Sequence, residues 1–258
     1  MPDPIRVDVE DAVMRIAFAR PEKKNAITNG MYQLLIQALQ RAESDDAIRV
    51  VLFEADGEVF TSGNDIGDFA AMASGQLAPS ELHVYAFLRM LVTAEKPYVA
   101  AVQGLAVGIG TTMLMHCDLV YIAEDAKLTT PFVNLALVPE AASSWSIPAR
   151  IGHARAFAMF ALGEAVDGRT AAALGLANSA LPAAEVRAKA LDTAKALARR
   201  PAGALRATKK LMRDSAQLTG VIDRELEVFA RQLKSAEAAE AFRAFAERRP
   251  PDFTKLRG

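Results

Sequence analysis

Residues 96–118, KPYVAAVQGLAVGIGTTMLMHCD, restrict the fold of this chain more than any other stretch. A proline precedes a short apolar run, 98–102, which reads as a buried strand. Gln103 and Gly104 interrupt it, Gly108-Ile109-Gly110 follows, and 111–117 reads as an apolar helix. Strand, glycine turn and helix form a layout that aims backbone N–H groups at a ligand. The same layout also serves tight packing of a buried helix on a sheet, because glycine permits close backbone approach. Both readings stay open on this stretch alone. A dinucleotide site fits less well: the spacing is G-x-x-x-G-x-G, and no acidic residue closes a following second strand.

On either side the chain alternates. Residues 13–18 read as a strand, and 20–25 (RPEKKN) as a polar turn. Thr28 is a candidate N-cap, and Met31, Leu34, Leu35, Ala38, Leu39 and Ala42 mark one helical face. A buried strand is expected at 50–53, a turn at 54–57, and a segment leading into a helix at 59–65. Small residues at 70–80 read as a mobile loop, and 82–93 as an amphipathic helix. Further strands are expected at 119–123 and 127–130, followed by an apolar loop over 131–142 that carries one acid, Glu140. Residues 154–162 and 169–174 read as helices, the second stopped by Gly175. From 183 onward only helices are expected, at 183–199, 202–214 and 219–247. Strands alternating with helices, then helices alone, argue an α/β core over 1–182 with a helical region over 183–258.

Composition narrows the function classes. The 258 residues are 52% hydrophobic and 24% charged, with a net charge of −1. A sizeable core is available, and no basic footprint for nucleic acid or a membrane surface exists. The single cysteine, Cys117, leaves no disulfide framework and reads as a buried small hydrophobe. No run approaches the ~20 apolar residues of a membrane span. A polar N-terminus and a C-terminal KLRG that is not a peroxisomal address lead to the expectation of a soluble, cytoplasmic protein. His83, His116 and His153 are scattered, so no metal site is expected.

Two turns could present donors: Ser62-Gly63-Asn64-Asp65 and Gly108-Ile109-Gly110. N–H groups from two turns can converge on one oxygen and stabilise an enolate or a tetrahedral oxyanion. With these turns in view, RPEKKNA (20–26), FTSGNDI (60–66) and QGLAVGIG (103–110), followed by His116-Cys117-Asp118, resemble the crotonase superfamily of enoyl-CoA hydratases and isomerases. The motifs come in the family's order and spacing from about residue 7 to the C-terminus. The resemblance implies a spiral of ββα turns, a helical trimerisation region, and trimers that often pair into hexamers. It implies an acyl-CoA thioester whose oxygen sits between the N–H groups of Asn64 and Ile109, and no cofactor beyond the CoA of the substrate. The family commonly has a small residue at the first of these positions and glycine at the second; both departures keep the N–H. For CoA, the resemblance implicates Asn25 and Ala26, the turn from Ser62 and Gly63 to Asp65 and Ile66, and Gly108. Arg20, Lys23 and Lys24 are candidates near the phosphates, and Phe253 and Lys255 for the adenine pocket.

The carboxylates carry the reaction type. The two hydratase glutamates match Thr112 and, after Pro131, Phe132, so both are missing. Glu140, in TPFVNLALVPEAASS, resembles the single acid/base of the Δ3,Δ2-enoyl-CoA isomerases. Hydration needs one group to activate water and another to deliver a proton; shifting a double bond needs one base that removes a C2 proton and returns it at C4. Apolar neighbours of Glu140 would raise its pKa toward a useful value, although a surface glutamate at a helix start is the plainer reading of the residue alone. Phe132, Leu135, Trp145 and Thr112 are expected around the acyl chain, with core packing the other reading of Trp145. Asp65 reads as a helix cap and Asp68 as part of a solvated face. Leu226, Phe229 and Leu233 on one stripe, and Phe242 and Phe245 on another, suggest a surface for assembly. The alternatives are a hydratase of fatty-acid β-oxidation in which Glu140 works with ordered water, a hydrolase or dehalogenase relative, and a non-catalytic acyl-CoA-binding scaffold.

Overall fold

The computed structural model describes residues 3–65, 67–68 and 82–255. The chain opens with a hairpin of β1 (Ile5–Glu10) and β2 (Val13–Phe18). Its two-residue turn places Asp11 and Ala12 both at positive φ, the backbone a tight hairpin of right-twisted strands requires. Asp-Ala is a weak turn signal, so the sequence does not announce β1. Helix α1 (Asn29–Ser44) starts where expected, with the Thr28 side chain accepting from the Met31 N–H. Its buried face includes Tyr32, while Leu34 is exposed.

Next come β3 (Val50–Ala55), α2 (His83–Thr93), β4 (Tyr98–Val102), β5 (Leu105–Val107) and the short α3 (Ile109–Thr112), which runs on as a 3-10 turn over Met113–His116. Strands β6 (Leu119–Ala123) and β7 (Lys127–Thr129) lead to α4 (Ser143–Ile151) and α5 (His153–Phe157). Then follow β8 (Val166–Asp167), α6 (Gly168–Leu174) and β9 (Ser179–Leu181). The last part of the chain is helical, with α7 (Ala183–Ala198), α8 (Ala202–Met212), α9 (Ser215–Leu233) and α10 (Ala236–Ala246). The run expected as one helix over 219–247 breaks at Lys234, because Ser235 caps a new helix through the Ala238 N–H.

One sheet runs β1-β2-β3-β4-β6-β9, parallel except for the opening hairpin; a second runs β5-β7-β8. Successive turns of chain follow one path. Each leaves the large sheet, crosses a second layer in a short extended piece, and returns through a helix: β4 continues into β5, and β6 into β7. Earlier turns do the same with single bridges, Ile27 to Asn64 and Thr61 to Ala106. This is the crotonase-type spiral of ββα turns. Stacking the turns lines up the second-layer segments side by side, and the site lies there. The fully buried β3 and β4, with β2 buried except at Arg15, carry the core, and α7 packs on the large sheet through Val186, Ala190 and Ala194. Cys117 is buried, and burial pushes its thiol up to about 12. Among the described residues no helix is long and apolar enough to cross a membrane.

Candidate functional site

The two glycine turns lie against each other. The Thr61 N–H donates to the Leu105 carbonyl at 3.1 Å, and the Val107 N–H to the Thr61 carbonyl at 3.0 Å. Only glycine fits at 63: φ is +86°, and a Cβ would stand 2.7 Å from the Val107 oxygen. Gly108 has φ +55°, and a Cβ on Gly110 would meet the Thr61 methyl at 2.5 Å. Immediately after these glycines come Asn64 and Ile109. Among the described residues neither backbone N–H has a hydrogen-bond partner, and Ile109 opens α3, where no intrahelical acceptor exists. Both residues line a cavity of about 590 Å³. Adjacent donors of this kind can hold charge developing on an oxygen.

One mouth of the cavity is the 23–26 turn. Lys23, Lys24 and Ala26 reach its wall, together with Ser62, Gly63, Asp65 and Gly108. The turn is tied to its neighbour by the Ser62 N–H on the Lys24 carbonyl and the Thr61 hydroxyl on the Asn25 carbonyl. Arg20 and Asn25 are not on the wall. Arg20 is engaged with Asp65 Oδ2 at 3.1 Å and the Ala26 carbonyl at 3.2 Å. The buried Asn25 side chain accepts from the Arg20 N–H and donates to the carbonyls of Asp56 and Val59. These two residues shape the turn from behind. Asp68, expected on a solvated face, accepts instead from the Asn29 N–H at the start of α1.

Glu140 closes the inner end. It is 5% exposed, so the surface-cap reading is wrong. The Thr112 hydroxyl donates to Oε1 at 2.6 Å, while Oε2 is buried with no partner among the described residues. Burial is the main cause that lifts the carboxyl from its ordinary 4.5 to about 8; the Thr112 hydrogen bond opposes the rise and the nearby Glu225 charge adds to it. Glu140 also lines a small recess of about 20 Å³ with Val84, Tyr85, Leu88, Leu226 and Phe229. Phe132 and Leu135, expected around the acyl chain, stand on the main wall with Pro131 and Leu137. Thr112 does not: it is fully buried beneath Glu140 and meets the acid rather than the cavity.

Trp145 is neither on the wall of this cavity nor in the core. It lies on α4, 47% exposed, beside a separate cavity of about 570 Å³ shared with Arg150, Lys209, Met212 and Arg213. The reason is direction: α4 begins after Glu140, and its first turn already points Trp145 toward this other cavity. Phe253 packs half-buried on the core, off the cavity wall; it shares a short 3-10 turn with Lys255. Ile66 and the 70–80 loop lie outside the described residues.

Several residues that shape the site give no local sign of it. Phe229 and Phe245, read as assembly stripes, line the main cavity, and Leu233 and Phe242 are buried within the chain. Tyr32 donates to the Asn64 side-chain oxygen, Asn134 joins the wall, and Glu225 and His116 bond to the backbone just past Glu140. Their contacts join segments up to 83 positions apart, which no local pattern encodes. Among the described residues no group of three His, Cys, Asp or Glu could hold a metal ion.

Known proteins share this sequence pattern and fold. Residues 8–256 match the family described as enoyl-CoA hydratase/isomerase. The rat protein named enoyl-CoA delta isomerase 2 is 34% identical over 251 residues, covering 95% of this chain, and the chain spans 64% of that relative's length. A probable enoyl-CoA hydratase of Rhodobacter capsulatus is 32% identical over 97% of both chains. The crystal structure of an enoyl-CoA hydratase/isomerase from Pseudoalteromonas atlantica superposes with a TM-score of 0.91 at 36% identity, over 97% of this chain and 100% of that one. The family match, the sequence identity and the superposed fold agree, and the chain belongs to the enoyl-CoA hydratase/isomerase family of the crotonase superfamily.

Proposed function

We propose that this protein is a Δ3,Δ2-enoyl-CoA isomerase. Its substrate is a 3-enoyl thioester of CoA, with the thioester oxygen held by the N–H groups of Asn64 and Ile109 and the nucleotide end near Lys23 and Lys24. Glu140 Oε2 takes a proton from C2, and the electron pair moves onto the thioester oxygen to give a dienolate. Glu140 then returns the proton at C4. The carbonyl re-forms, and the double bond stands between C2 and C3. Nothing is consumed, so no cofactor beyond the CoA of the substrate is called for.

The observation that carries this reading is the single carboxyl at the inner end of the cavity, with one buried oxygen uncommitted. Asp65, the other acid on the described wall, is occupied by Arg20 and by the Gly67 N–H. Thr112 serves Glu140, and Phe132 puts a hydrocarbon ring on the wall at the position where the family resemblance implies a hydratase's second acid. A phenyl face at that position disfavours a water poised for attack. Hydration is the second reading, supported by the full-length relative named as a probable hydratase.

Purified protein given 3-enoyl-CoA and trans-2-enoyl-CoA separately decides between them. Isomerisation appears as rising absorbance of the conjugated thioester, and hydration as its loss. We expect isomerisation with little hydration, and a fall of several orders of magnitude in Glu140→Gln. Fast hydration without isomerisation refutes the proposal, and no turnover of either substrate across chain lengths supports a binding scaffold instead.

A further inference from the structure

Glu140 is followed by two alanines, Ala141 and Ala142, with φ of +60° and +55°. Two consecutive non-glycine residues in the left-handed region are uncommon, because Cβ crowds the following carbonyl. Both are fully buried, and the turn they form aims Glu140 into the cavity. Such a turn persists only when its surroundings over-determine it.

Those surroundings hold one peptide unit from both sides. The carbonyl of Ala141 is 2.7 Å from His116 Nε2, and the N–H of Ala142 donates to Glu225 Oε2 at 2.6 Å. Glu225 Oε1 also accepts from the Ser144 N–H at 2.9 Å. Arg213 settles the histidine tautomer. Its guanidinium can only donate, and it donates to His116 Nδ1, so the ring proton sits on Nε2 and is given to Ala141. Burial, and then the Arg213 charge, push the imidazole down to about 3, which keeps it neutral. Arg213 is fixed in turn by the carbonyls of Leu91 and His116. Glu225 lies on α9 and Arg213 just before it, so the C-terminal helices supply both ends of the grip.

We infer that His116 and Glu225 are positioning residues that clamp the Ala141–Ala142 peptide and thereby set the aim of Glu140. The inference rests on the reading of Glu140 as the base. Neither residue lines the substrate cavity, so the clamp acts through Glu140 and leaves binding largely alone. Glu225 adds a second effect: its negative charge faces Glu140 and disfavours the ionised base. The other groups facing Glu140 among the described residues are the Thr112 hydroxyl from α3, Tyr32 from α1 and Tyr85 from α2, with neutral His116 and charged Arg213 behind the turn.

Steady-state isomerisation across pH tests this on the whole protein, with Glu140→Gln, Glu225→Gln, His116→Leu and His116→Gln. Glu225→Gln keeps the shape but sets an NH2 group against a backbone N–H. Its kcat should fall about 10²-fold, the cost of misplacing a reacting group by about 1 Å, with KM changed by less than about threefold. Its acid limb should move to lower pH. His116→Leu should lose kcat similarly with the limb unmoved, and His116→Gln, which restores a donor near Nε2, should recover most of it. Folded Glu225→Gln and His116→Leu proteins with wild-type kcat and pH profile overturn the clamp while an inactive Glu140→Gln leaves the base reading intact. An active Glu140→Gln overturns both. If Glu225→Gln gives no cooperative melt, the two His116 variants decide: equal kcat in Leu and Gln overturns the clamp, and recovery in Gln supports it.

Discussion

Glu140 shows what burial does to one carboxyl. A group whose ionised form has lost water, and gained only one hydroxyl donor, holds its proton to about pH 8. Two outcomes follow. The base works only when ionised, so kcat/KM for isomerisation should climb with pH to a plateau, with its midpoint near pH 8. Stability should run the other way. Between the unfolded value of 4.5 and the folded value of about 8 the native state binds the extra proton, so the contribution of Glu140 is full below 4.5 and is lost as pH rises through 8. Glu140→Gln should therefore match the wild type in urea unfolding at pH 4 and exceed it at pH 9, by something on the order of a few kcal/mol. A wild type that stays the more stable at pH 9 would count against a buried, proton-holding Glu140.

Among the elements, the two glycine turns carry the most demanding geometry. Gly63→Ala adds a Cβ 2.7 Å from a backbone oxygen that cannot swing aside, at a φ that L-residues avoid. The variant should unfold at lower urea and lose activity together, since the Asn64 N–H moves with the turn. Ile109→Pro separates the two effects. Ile109 is the first residue of α3, where helices accept proline. The far-ultraviolet circular dichroism should be retained while turnover drops about 10²–10³-fold, the cost of one lost oxyanion donor. A folded variant with undiminished turnover would remove the Ile109 N–H from the mechanism.

For the whole molecule, the assembly argument moves to a different surface. The stripes on α9 and α10 are used mostly inside the chain: Phe229, Leu233 and Phe242 are buried, and the half-exposed Phe245 lines the main cavity. Among the described residues the two most exposed large apolar side chains sit together at the end of α8, where Leu211 is 89% and Met212 83% exposed; Met212 lines the second cavity with Trp145. Exposed patches of this kind mark interfaces, and the trimer implied by the family resemblance is proposed to close over this face. Light scattering at micromolar concentration should report a trimer or a dimer of trimers, and Met212→Glu should shift it toward the monomer. A wild-type monomer would end this proposal.

The spiral was legible because its determinants are local. Apolar runs of strand length, the Thr28 cap and the glycines at 63, 104, 108 and 110 each act within a few residues, and their order gives ββα turns followed by helices. Asn64, Ile109 and Glu140, which the fold brings to one cavity, could be singled out for the same reason: each sits in a short motif next to a glycine or proline. What surrounds them could not. Trp145 is apolar and near Glu140 in sequence, yet the direction of α4 puts it on another face. Phe229 and Phe245 occupy ordinary helical positions, and only the return of α9 and α10 across the cavity makes them its wall. His116 and Glu225 look like a stray histidine and a surface glutamate until folding places them at opposite ends of one peptide. Local sterics and hydrophobic period, which residues carry in their own neighbourhoods, determined the turns and the acid. Burial and long-range hydrogen bonding exist only after the chain has closed on itself, and these alone decided where Glu140 points and how tightly it holds its proton.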